Sequence, residues 1–334
     1  MTDTIVHPDT PTRCRIDPDQ RIVRLDNTAL DLWRRCPSKF NNRIVKDLVK
    51  IQEAEAEYPS LALHYGQAWH TAIDALYHTK KLDDALCAWE EASKGMEEDT
   101  YNKRTVGRGI TDLELYANTY SEELKNLDVI ENEALISGPL VQIDRGDGPP
   151  WTVLYTGAID HILRTGLRSP SSPGRRRCNK PRIRDHKTTT GRTLLAGSSY
   201  ALANQMIGYA WLAQEFFGIE PPVVLDVDIV ILAGVRKTEF LRPEFLYDAE
   251  KIIEWKKNIE QTVRMILSCY ESDVWPQYGR EPCIAWNKEC EFFQLCDAHP
   301  NIRKRVEESF YTNKPWDPSQ RGGGDTGAKR SGGA

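Results

Sequence analysis

Three residues have the types and spacing for phosphoryl chemistry. From Tyr155 the chain reads YTGAIDHILR, passes through a basic, proline-containing insertion, and continues RIRDHKTTTG. Asp160 closes the first strand-like run, Asp185 the second, and Lys187 follows two residues later. Alternate residues of a strand share a face, so Asp185 and Lys187 point one way and His186 the other. Hard divalent cations take oxygen ligands, and a cation held by two carboxylates can polarise a phosphoryl oxygen and generate hydroxide. A lysine beside them would place a point charge on the phosphate or orient the attacking water. In isolation D-x-K is common, and a solvated strand end with a surface ion pair accounts for it better.

Other groups accompany this set. Gln205 and Tyr209 stand i, i+4 on a predicted helix over 199–218, where both could project from one face; Tyr209 in the core and Gln205 in solvent is the plainer alternative. His70 shares with Gly66 and Asp74 one face of a helix predicted over 61–78, LALHYGQAWHTAIDALYH, though a lone histidine is more often structural. Glu133 is a comparable candidate against an exposed charge where a strand begins. Cys283, Cys290 and Cys296 lie in CIAWNKECEFFQLC with gaps of x6 and x5. Three clustered thiols leave a tetrahedral site one ligand short, and Cys36, in RRCPSKF, is the best fourth. The insertion from Arg164 to Arg184 is rich in arginine and has no acidic residue, with Arg175, Arg176 and Arg177 at its centre. It could meet phosphates by charge alone, or be a solvated loop.

These groups need elements to position them. Residues 1–20 are expected to be disordered. A helix is predicted from Thr28, capped in concert with Asp31, ending near Cys36 and Pro37, and a second amphipathic segment over 40–52. Helices follow at 82–97 and 108–127, then strands at 131–143, 151–164 and 181–189. The helix ending at Gly218 precedes a strand at 221–235 with a hairpin partner at 236–242, a long helix at 247–271, an irregular cysteine-bearing stretch and a charged helix near 300–310. The order predicts an α/β chain with a helical N-terminal part. With 334 residues, a net charge of −5 and no apolar run of membrane-spanning length, it reads as a globular protein. Any nucleic-acid contact must come from local patches rather than a global field. The polar N-terminus lacks the apolar core of a secretory signal, which predicts a cytoplasmic, reducing setting, and there eight cysteines favour metal or cluster ligation over disulfides.

Taken in order, these stretches resemble the RecB-like, iron–sulfur branch of the PD-(D/E)xK nuclease superfamily, which includes the CRISPR adaptation nucleases, the AddB-type nuclease domain and phage exonucleases. LDNTALDLWRRCPSKF is similar to the family's opening motif, GQAWH to G-x-x-x-H, GAID to G-x-x-D, DHK to (D/E)-x-K and QMIGY to Q-x-x-x-Y. The cysteine trio, with Cys36 as distant first ligand, closes the series. The chain departs in its first cysteine gap, x6 where x2 is common, in Asp185 where Glu is frequent, and in the long basic insertion.

The resemblance implies a restriction-endonuclease-like core, a mixed central sheet flanked by helices, in a single domain over 21–312. Its parts would be a helical part (21–128), a catalytic core (129–245) and a cysteine-rich C-terminal segment (246–312), with a disordered glycine-rich tail at 313–334. It implies an Mg²⁺- or Mn²⁺-dependent DNA exonuclease of recombination, repair or phage DNA metabolism, in a bacterial or phage-infected cell. His70, Asp160, Asp185 and the backbone carbonyl of His186 would hold the metal. Lys187 would position water, and Gln205 and Tyr209 would steady Lys187 or the DNA backbone. Cys36, Cys283, Cys290 and Cys296 would hold a structural [4Fe–4S] cluster, with Zn²⁺ the alternative occupant. DNA is the implied partner, contacted also by Arg175, Arg176 and Arg177, alongside a helicase, recombinase or single-strand-binding protein. A non-catalytic DNA-end-binding or recombination accessory protein on the same fold is the alternative function.

Overall fold

The computed structural model describes residues 13–56, 58, 60–96, 103–165, 180–191, 198–233, 237–285 and 288–320. In chain order, β1 (Arg15–Asp17) and β2 (Ile22–Asp26) pair, α1 (Asn27–Arg35) and α2 (Pro37–Phe40) follow, and a π-type turn over Asn41–Val45 leads to β3 (Leu48–Lys50) and α3 (Ile51–Ala54). Next come α4 (Leu61–Thr79), α5 (Leu82–Ala92), α6 (Val106–Thr119) and α7 (Ser121–Lys125). Long strands β4 (Leu127–Ile143), β5 (Trp151–Thr165) and β6 (Arg182–Thr189) precede α8 (Asn204–Phe217), β7 (Val223–Ile231), β8 (Glu239–Leu241), β9 (Glu244–Tyr247) and α9 (Ala249–Ser272). The C-terminal part holds α10 (Arg280–Cys283), β10 (Ile284–Ala285), β11 (Lys288–Glu289), α11 (Phe293–Asp297), α12 (Pro300–Phe310) and β12 (Tyr311–Asn313).

One mixed sheet organises these pieces. β4 lies antiparallel along nearly all of β5, so the other partners of β5 must share its opposite edge. There β2 runs parallel to Thr152–Thr156, and β6 runs antiparallel to His161–Leu163. The edge is thus forked, and Asp160 sits in the fork. β6 continues parallel to β7 from Arg182 through Thr189, and β7 carries β8 and β9 on its far side.

Period-two alternation divides the interior. Val223, Leu225, Val227, Ile229 and Ile231 of β7 join a core with α1, α8 and α9. Val230, on the other face, joins a second core built on Trp69, Trp89 and Tyr116 of α4 to α6. Helices therefore cover both faces of the sheet. No helix among the described residues is long and apolar enough to cross a membrane.

Several boundaries differ from expectation. α1 is capped by Asp26, whose carboxylate accepts the Ala29 N–H at 2.7 Å, rather than by Thr28; the carboxylate ending β2 is already placed for the task. Pro37 opens α2 at its first turn, where a missing N–H costs nothing, so Cys36 sits extended at the break. The helix expected over 40–52 gives way to the π-type turn and β3, because Leu48–Lys50 pair with β12, a partner 261 or more residues away that local periodicity cannot reveal. The disorder expected over 1–20 does not hold for 15–17, nor that over 313–334 for 313–320. Cys14 is fully buried and donates its backbone N–H to the Trp316 carbonyl at 3.0 Å, while the Trp316 indole donates to Asp26 at 3.1 Å. Each segment is too sparse in apolar residues to pack alone; together they close over α1. Residues 1–12 and 321–334 lie outside the described residues.

Candidate functional site

At the fork, Asp160 Oδ2 accepts the backbone N–H of His186 at 2.8 Å. Asp185 is 0% exposed and lies against Lys187, with Nζ 2.9 Å from Oδ1 and 2.6 Å from Oδ2. Burial, then the neighbouring Asp160, push the Asp185 carboxyl up to about 6 even though Lys187 opposes the rise. Burial would also raise Asp160, but His70 and Lys187 outweigh it and hold that carboxyl below its ordinary value. Lys187 is desolvated, which disfavours its charge, yet Asp185 and Asp160 prevail and keep the ammonium above its usual pKa.

His70, on α4, reaches the same point from the other layer. Its Nε2 donates to the His186 carbonyl at 2.9 Å, and Nδ1 lies 3.4 Å from Asp160 Oδ2. The imidazole of His186 instead turns away, buried 3.4 Å from Asp228 Oδ2 on β7, with its pKa lowered to about 4 by burial. Glu133 is an exposed charge, as the plainer alternative had it, and it adopts φ 45° within β4. Partial desolvation of its carboxyl and the nearby charge of Asp74 raise it above its ordinary value, with His70 and Asp160 also acting on it. Asp74, one turn beyond His70, accepts from Asn132 at 2.8 Å and lies 3.4 Å from His161, a link with no local sequence signature.

The sequence of α8 explains how its side chains reach this point. A Cβ at Gly157 of β5 would lie 2.6 Å from Leu212, and one at Gly208 would lie 2.6 Å from the Tyr155 ring. Two facing glycines let helix and sheet approach closely. Gln205 Nε2 then lies 2.8 Å from the Tyr209 hydroxyl and 3.4 Å from Asp185 Oδ1. Gln205 therefore meets Asp185, whereas the sequence had assigned the pair to Lys187 or the DNA backbone. Tyr209 is also core, 2% exposed.

Arg182 and Arg184, read from sequence as part of a phosphate-contacting run, are buried instead. Arg184 donates to Asp226 at 3.0 Å, Glu123 at 2.7 Å and the Tyr77 hydroxyl at 3.0 Å; Arg182 pairs with Asp226 at 3.0 Å. Arg242 joins Glu123, Asp228 and Tyr116 in the same network. These residues back β6 on the face opposite Asp185, and so fix the strand whose carbonyl and carboxylate face the site. Arg175, Arg176 and Arg177 lie outside the described residues.

Away from the fork, Cys36, Cys283, Cys290 and Cys296 line one cavity with Lys39, Phe292 and Phe293. Each of the four is a free thiol. Burial pushes Cys296 up to about 11, with Cys290, Cys36 and Cys283 adding to the rise. Four thiols from two distant parts of the chain, lining one space, form a donor set that suits an iron–sulfur cluster or zinc.

No protein-family model and no curated protein matches the sequence. Among solved structures, the chain is similar to the crystal structure of a protein from Eubacterium rectale named as a candidate exonuclease. The two are 10% identical, the match covers 82% of this chain and 93% of that one, and the TM-score is 0.44.

Proposed function

We propose that this protein is a metal-dependent DNA nuclease of the RecB-like PD-(D/E)xK kind, acting as an exonuclease and stapled by an iron–sulfur cluster. One observation carries the reading: His70 of α4 and Asp160 of β5 meet at the His186 backbone of β6, and the neighbouring Asp185 on that strand holds Lys187. The two carboxylates and the His186 carbonyl are oxygen donors and His70 an imidazole, a set that fits Mg²⁺ or Mn²⁺. A divalent cation held there would polarise the phosphoryl oxygen and lower the pKa of a water.

The chain's own residues do the rest. Asp160 and Asp185 hold the negative charge that selects a cation, and Asp160 also pins the strand that presents the His186 carbonyl. Lys187, held as an ammonium, donates hydrogen bonds to the substrate phosphate and to the attacking water, which it orients. Water attacks phosphorus as one P–O ester bond breaks, yielding a phosphate monoester and an alcohol. Gln205, bridging Tyr209 and Asp185, keeps that carboxylate from turning toward the core.

The cysteine cavity is read as the cluster site, which would fasten the α1–α2 junction to the C-terminal segment. Incubating purified protein with end-labelled linear DNA and Mg²⁺ or Mn²⁺ tests the catalytic reading. Metal-dependent release of nucleotides, abolished in Asp185→Ala and Lys187→Ala, is expected. Undiminished hydrolysis by those two variants would refute it.

A further inference from the structure

The turn leading into α8 carries a side chain that the proposed chemistry leaves unused. Leu202 is 79% exposed, more than any other large apolar side chain among the described residues. Its neighbours hold it there. The Ala201 N–H donates to the Ser198 carbonyl and the Ala203 N–H to the Tyr200 carbonyl, each at 3.1 Å. The buried Tyr247 donates its hydroxyl to the Ala201 carbonyl, also at 3.1 Å. A turn fastened on three sides cannot rotate to bury its apolar tip, so the exposure is built into the fold.

The tip stands at the edge of the candidate site. On one side, Tyr200 is half-buried and feels the charges of Lys187 and Asp185. On the other, Gln205 reaches Asp185. Asn204, between them, is fully buried and accepts at Oδ1 from the Trp255 indole at 3.1 Å and from Arg34 Nη2 at 2.9 Å. The guanidinium of Arg34, an exposed residue, is thereby anchored by a neutral carboxamide and also acts on the Asp31 carboxyl one turn back on α1.

We infer that Leu202 and Arg34 form the subsite for the nucleotide flanking the scissile bond, Leu202 against its base and Arg34 on its phosphate. A rigid apolar knob gains by covering a nucleobase face, and base faces are open only where the strand is unstacked from a duplex. A fixed guanidinium supplies the phosphate contact. The assignment rests on the nuclease reading for its register, but the two can be separated by experiment.

The test compares wild type, Leu202→Ala, Leu202→Met and Arg34→Gln on single-stranded and blunt duplex oligonucleotides. Hydrolysis is measured with Mg²⁺, and equilibrium binding by anisotropy with Ca²⁺ in its place. Leu202→Ala is expected to raise KM on single strands about fivefold, with kcat within about twofold of wild type and Leu202→Met restoring the value. Arg34→Gln is expected to flatten the slope of log binding constant against log salt by about one. Wild-type KM and affinity in Leu202→Ala, or an equal loss on blunt duplex, would overturn the subsite. If wild type hydrolyses nothing yet binds single strands in a Leu202-dependent way, the nuclease reading fails and the subsite stands.

Discussion

Lys187 and His186 are adjacent residues with opposite obligations. The Lys187 ammonium is fixed 2.6 and 2.9 Å from the two oxygens of a carboxylate that has no contact with water. In the proposed hydrolysis its contribution would then be electrostatic, and single-turnover assays of Lys187→Ala should show a rate at least about a hundredfold lower. Lys187→Arg should not restore it, because a planar fork cannot occupy the place of a compact ammonium against a buried carboxylate. For His186 the candidate ligand is the backbone carbonyl, while the ring packs beside Asp228 on the other face. His186→Asn should therefore keep its Mn²⁺ affinity within about threefold while lowering the melting temperature; calorimetric titration reads the first and thermal unfolding the second. A loss of Mn²⁺ binding as large as in Asp185→Ala would show that the imidazole itself is a ligand.

α8 and the ion network determine where β5 and β6 can stand. Gly208→Ala would drive a methyl group into the Tyr155 ring, 2.6 Å away, and overpacking of this kind costs roughly 1–3 kcal/mol. The larger effect should be on rate, since the same displacement carries Gln205 off Asp185. On the opposite face, Glu123 lies between Arg184 and Arg242. Burial would raise its carboxyl, but the two guanidinium groups outweigh burial and lower it. A carboxyl depressed in the folded chain stabilises it above the unfolded value of about 4.3, and that stability disappears as pH falls through the folded value. Glu123→Gln should thus be less stable than wild type by about 3 kcal/mol at pH 7, with the gap narrowing below about pH 4 as the wild-type carboxyl takes up a proton; urea midpoints across pH report this. The long strands, α4, α8 and α9 were legible because their apolar periods are strong. The network was not: Arg182 and Arg184 belong to a basic run in sequence, and their partners come from Tyr77 of α4, Glu123 of α7, Asp226 of β7 and Glu244 of β9.

Segments far apart in sequence, brought together by long-range pairing, close the described part of the molecule. Cys36, Cys283, Cys290 and Cys296 were legible as a group because three cluster locally and one stands beside Pro37, but their common cavity depends on contacts that no window of sequence contains. Ser38 donates to the Trp275 carbonyl at 2.7 Å, and Phe292 stacks on Tyr311 with centroids 5.6 Å apart. Tyr311 in turn begins the strand that pairs with β3. A cluster filling this cavity would tie α1, and with it the Asp26 cap that Trp316 completes, to α11 and β12. Stability should then be linked to occupancy, since a group that binds only the folded chain stabilises it. Anaerobically prepared protein should contain about four irons per chain and melt higher than protein treated with chelator and oxidant. Cys290→Ser should abolish iron binding and melt at the lower temperature whether or not iron is supplied. Iron content unchanged in that variant, or identical melting of loaded and stripped wild type, would remove the cluster from the account; zinc without iron, bound by the same four thiolates, would keep the staple and change its metal.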